Sequence, residues 1–105
     1  MILSLLLLQA ATMSSAGYPT SARAEYVLGC MTANGRAPDM LQRCSCSIDV
    51  IASLIPYDDY VTAETVLTMR GVAGERASMI NDVQVLRAPV QRLREAQVEA
   101  DLRCF

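Results

Sequence analysis

The chain has 105 residues, with nine arginines against eleven acidic residues, no lysine and no histidine, and a formal charge of −2 at neutral pH. That balance argues against binding a phosphate backbone or an anionic membrane, both of which ask for a basic face. The missing histidine removes the commonest general base and the commonest metal ligand, and the length admits one domain whose core is marginal without staples.

In chain order, the first element is the apolar run Ile2, Leu3, Leu5 to Leu8, Ala10 and Ala11. It has the length of a signal sequence and falls short of the roughly 20 residues that span a membrane. The run leads to Ala22-Arg23-Ala24, a small-x-small pattern that a signal peptidase cuts after. Residues 1–24 are therefore expected to form a signal peptide cleaved after Ala24, and residues 25–105 a single helical domain. The usual positive n-region is missing, since no arginine or lysine precedes Arg23. Val27-Leu28-Gly29-Cys30 could be read as a lipobox with Cys30 lipidated. Arg23 and Glu25 separate it from the apolar run, however, and it would leave an odd three cysteines.

The remaining segments read as helices divided by turn signals, with no convincing strand alternation. A first helix over residues 24–33 carries Tyr26, Val27 and Cys30 on one face and stops at Asn34-Gly35, a C-cap pair. A second begins at Asp39 as N-cap, with Gln42 returning to the cap amide. Its stripe of Leu41, Cys44, Ile48, Ile51 and Ile55 is spaced 3, 4, 3, 4, and Pro56 ends it. A third, over residues 59–70, is capped by Asp58 or Asp59, faces Tyr60, Ala63, Val66 and Leu67 inward, and breaks at Gly71 and Gly74. The last region carries Met79, Val83, Leu86, Val90 and Leu93. This stripe passes through Pro89, which gives either one kinked helix or two, and its continuity favours the kink. Glu99 and Arg103 support the final turns.

The fold expected is thus all-α, a small bundle of four to five short helices stapled by two disulfides among Cys30, Cys44, Cys46 and Cys104. At 100° per residue Cys44 and Cys46 point about 200° apart, so they do not bond to each other within one helix. Two pairings stay open, 30–44 with 46–104 or 30–46 with 44–104. Cys44-Ser45-Cys46 with nearby Cys30, Met31 and Met40 offers a soft site for Cu(I), or with Cys104 a zinc site. It lacks the two-residue spacer of zinc knuckles, and catalytic thiols usually sit exposed at a helix start near positive charge.

Other constellations have bland readings. Asp58-Asp59 suits capping and the helix dipole better than acid-base work. Ser45, Ser47 and Ser53 have no histidine or lysine to activate them. The arginines Arg70, Arg76, Arg87, Arg92 and Arg94 are interspersed with acids as on a solvated surface. What is left is surface. The sequence points to a small periplasmic or secreted accessory protein that docks on a larger envelope protein or membrane complex, without catalysis, cofactor or metal. The expected contact region is the corner of the second and third helices, Ile55, Pro56, Tyr57, Asp58 and Asp59, which joins a rigid turn, an aromatic and charge. The alternative is a periplasmic thiol- or metal-handling protein, for Cu(I) or zinc, or a chaperone-like stress protein, using Cys44 and Cys46.

Overall fold

A computed structural model of the chain describes residues 17–73 and 83–105. Among the described residues there are four helices and no strand: α1 Thr20–Asn34, α2 Pro38–Leu54, α3 Tyr57–Ala73 and α4 Gln84–Cys104. None of these helices is long and apolar enough to cross a membrane. α1 packs on α2, α2 on α4, and α4 on α3.

The helix ends follow local chemistry and correct several expectations. α1 starts at Thr20, not residue 24, because Pro19 holds extended angles and its carbonyl accepts the Arg23 amide at 3.2 Å. The boundary expected after Ala24 therefore falls inside a helix. α1 ends as expected at Gly35, whose φ of +100° only glycine adopts without strain and whose amide donates to the Met31 carbonyl at 2.8 Å. Asp39 is not the cap of α2. Ala37 holds that place and Pro38 is the first helical residue, where a missing N–H costs nothing. Asp39 instead reaches Arg43 at 3.5 Å along the first turn.

Pro56 separates α2 from α3, as expected. Asp58 and Asp59 lie within the first turn of α3, where their charge meets the positive end of the helix dipole, not ahead of it as caps. α3 continues through Gly71 to Ala73, so that glycine is no break. Gly74 and Met79 lie outside the described residues. α4 is one helix with Pro89 inside it, near the N-terminal end where few backbone bonds are interrupted.

The core is built from Ile48, Ile51, Ala52 and Ile55 of α2, Tyr60, Ala63 and Val66 of α3, and Val90, Leu93, Ala96 and Ala100 of α4. Leu67 packs against it. Two residues of the expected stripes stand outside: Leu41 is 49% and Val83 43% exposed. In α4 the inward positions after Leu93 are alanines, small enough for the helix to come close to α2. The chain supplies one further core residue ahead of α1. Tyr18 is 1% exposed, among the largest fully buried side chains.

All four cysteines are bonded, Cys30 to Cys44 and Cys46 to Cys104, each pair with Cα atoms 5.8 Å apart. The first bridge holds α1, which buries no residue fully, against α2. The second fixes the last turn of α4 to the middle of α2. Cys30, the cysteine of the lipobox reading, thus serves as a staple inside α1.

Candidate functional site

The expected contact corner does not form one surface. Ile55 is buried in the core and Pro56 and Asp58 are exposed. Asp59 accepts from Arg92 at 2.8 Å. Tyr57 is half-buried because its ring meets Tyr18 edge-on, centroids 5.0 Å apart, and stacks on Tyr60 at 6.2 Å. The corner therefore divides between two concavities. Ile55, Pro56 and Asp59 line a groove of about 760 Å³ with Arg92, Glu99 and Arg103. Its charges largely neutralise one another through the Arg92–Asp59 and Arg103–Glu99 pairs, both 2.8 Å. Tyr57 instead lines the larger opening on the other side of α3.

That opening is a cleft of about 800 Å³ between α1 and α3, reaching the end of α4. Its existence follows from the packing order, in which α1 rests on α2 and α3 on α4. Glu25 and Tyr26 come from α1, Tyr57, Tyr60 and Glu64 from α3, and Asp101 from α4. Among the described lining residues there is no arginine. At the floor the Tyr26 hydroxyl and the buried Ser47 hydroxyl share a 3.0 Å hydrogen bond, a side-chain link between α1 and α2. Arg23 adds a second, donating to Asp49 at 2.7 Å while its guanidinium lies 5.6 Å from the centre of the Tyr18 ring.

The electrostatics of the cleft follow from removing water beside carboxylates. Burial pushes the Glu64 carboxyl above the usual glutamate range. Burial likewise raises the Tyr60 hydroxyl, helped by the Glu64 charge, and the Tyr26 hydroxyl, where the Ser47 hydrogen bond partly offsets the rise and the Asp101 and Glu64 charges add to it. The cleft is thus an acidic, aromatic recess with no cation among its described lining residues. Positive charge entering it would be attracted by the carboxylates and by the tyrosine faces together.

The other candidates hold structural places. Ser47 is engaged with Tyr26, and the Ser53 hydroxyl donates to the Val50 carbonyl at 2.6 Å. Cys44 is fully buried and, like Cys46, bonded, so a thiolate at either position requires an opened bridge. Among the described residues no three histidine, cysteine, aspartate or glutamate side chains converge as metal ligands.

Two features escaped the sequence reading. Tyr18 lies within the expected 1–24 segment and is buried in the core, where no helical spacing announces it. The acidic cleft draws Glu25, Glu64 and Asp101 from three helices, and no local pattern announces it. No protein-family model, no curated protein and no solved structure matches this chain.

Proposed function

We propose that this protein is a small exported, non-catalytic docking module that holds a basic segment of a larger envelope protein in the cleft between α1 and α3. One observation carries the reading. A recess of about 800 Å³ presents Glu25, Glu64 and Asp101 beside Tyr26, Tyr57 and Tyr60, with no basic side chain among its described lining residues. Aromatic faces next to the half-buried Glu64 and the exposed Glu25 and Asp101 suit an arginine or lysine side chain, whose stem packs on the rings while its charge meets the acids. The second groove, with its own ion pairs, has less charge to offer.

Export is supported by the signal-like apolar run and by two disulfides, which persist in oxidising compartments. The bridges also make the surface rigid, which lowers the ordering cost of binding. Of the expected corner, Tyr57 keeps its place in this reading as a wall of the cleft.

The test is zero-length carbodiimide cross-linking in a native envelope preparation, which joins a carboxylate to a partner lysine without a spacer. Cross-links should map to Glu25, Glu64 or Asp101. Glu64→Gln and Tyr57→Ala should each weaken capture several-fold while the helical circular dichroism is unchanged. Cross-links confined to the second groove would overturn the choice of cleft. A monomer that carries stoichiometric metal and free thiols would replace the docking reading with thiol or metal handling through Cys44 and Cys46.

A further inference from the structure

Residues 18–24, ahead of Glu25, pack with the folded domain. Tyr18 packs its ring against Tyr57 and Tyr60, with centroids 5.0 and 5.2 Å away, and its hydroxyl donates to the Ile55 carbonyl at 3.0 Å. Thr20 to Ala24 form the opening of α1, and Arg23 ties that helix to Asp49 of α2. A cut after Ala24 would remove a fully buried aromatic and a cross-helix ion pair. It would also start the chain inside a helix, leaving Tyr57 and Tyr60 facing a hole.

We infer that the chain is processed between Ala16 and Gly17, so that the mature protein begins Gly17-Tyr18-Pro19. This rests on the export reading above and deepens it. The core requires the cut to fall before Tyr18. Upstream of Tyr18, Ser14-Ser15-Ala16 places small residues at the two positions a signal peptidase reads, with alanine immediately before the bond. The segment Thr12–Ala16 then forms a short polar, uncharged link after the apolar run, whereas a cut after Ala24 gives a link that includes Pro19 and Arg23. The Ala22-Arg23-Ala24 pattern arises because both alanines are helix-forming positions of α1, Ala24 being exposed on it. The reaction is hydrolysis by a membrane-bound signal peptidase. Water adds across the Ala16–Gly17 amide, the C–N bond breaks, and Ala16 leaves as a carboxylate while Gly17 becomes the new amine.

The experiment is intact-mass and N-terminal sequencing of the protein isolated from the envelope or medium of cells expressing the full chain. A terminus at Gly17 is expected. A terminus at Glu25, or at any residue after Tyr18, overturns the inference. Two variants read the same site independently of stability. Ala16→Asp should block processing and leave the uncut precursor, while Ala24→Asp should be processed at the parental bond, and the reverse pattern overturns the assignment. Recovery of the parent chain as uncut protein in the cytosol would overturn the export reading itself, an outcome distinct from cleavage at a different bond.

Discussion

Tyr18 donates its hydroxyl to the backbone carbonyl of Ile55, 37 positions away, at 3.0 Å. Ile55 caps the C-terminus of α2, so its carbonyl has no helical partner beyond that end. One side chain from ahead of α1 thus satisfies an orphan acceptor at the α2–α3 corner and closes the three-tyrosine cluster.

Removing only that oxygen separates the bond from the packing. Tyr18→Phe should destabilise by about 1–3 kcal/mol, the cost of leaving a buried acceptor unpaired. Tyr18→Ala should cost about 3–5 kcal/mol, since it empties a fully buried aromatic site. Urea unfolding at unchanged m-value measures both. A shift for Tyr18→Ala no larger than that of an exposed substitution would mean Tyr18 is not a core residue. Burial pushes the Tyr18 pKa from 10.0 up to about 12, so its proton is held more tightly folded than unfolded. That contribution is present at neutral pH and declines as pH rises from 10.0 through about 12.

Glu64 gives a pH dependence of the same sign at lower pH. Desolvation raises its carboxyl above the ordinary range, so the folded chain binds that proton more tightly than the unfolded one. Stability from this group is therefore present at acidic pH and lost as pH climbs from the usual glutamate range through the raised value. Glu25 and Asp101 share the cleft with it, beside the hydroxyls of Tyr26 and Tyr60. Glu64→Gln should raise the urea midpoint at neutral pH, and the gain should disappear below the usual glutamate range. A gain independent of pH would point to packing in place of ionisation.

Much of the bundle was legible because its core positions recur at helical spacing. Cys44, Ile48, Ile51 and Ile55 lie on one face of α2, and Tyr60, Ala63 and Val66 on one face of α3, all now buried. The stripe overran at Leu41, which lies one turn ahead of the buried Cys44 and is 49% exposed. Direction alone could not choose between the two disulfide pairings, since that depends on which side of α2 receives α1 and which receives α4. Tyr18 was not legible as a core residue because it lies ahead of α1, outside any helical spacing. The cleft was not legible because Glu25, Glu64 and Asp101 meet only after three helices have packed.

Gly29 and Gly35 make opposite predictions from equally open surroundings. A Cβ at either position meets no atom within 4 Å. Gly29 lies inside α1, where glycine costs about 0.5–1 kcal/mol relative to alanine, so Gly29→Ala should stabilise by that amount. Gly35 has φ +100°, so Gly35→Ala should destabilise by about 1–3 kcal/mol despite the space. Thermal melts that moved in the same direction for both variants would contradict the backbone assignment.

The two bridges should contribute unequally. Cys30–Cys44 spans 14 positions and Cys46–Cys104 spans 58. On the loop-entropy account the shorter is worth about 3 kcal/mol and the longer about 4. Cys30 and Cys104 are the partly exposed peripheral ends, so a serine at either leaves the α2 cysteine in place and avoids a new buried hydroxyl at Cys44. Packing reinforces the ranking. Leu102 is 76% exposed and Ala100 is small, so little apolar area holds the end of α4 once its sulfur is released. By contrast, α1 keeps the Tyr26–Ser47 and Arg23–Asp49 links when Cys30 is lost. Cys104→Ser should therefore lower the urea midpoint more than Cys30→Ser, by the equivalent of about 1 kcal/mol from loop length alone. Hydrogen exchange should show the last turns of α4 opening first in the former variant and α1 in the latter. Equal midpoints with equal m-values would show that the loop-entropy difference does not govern this fold.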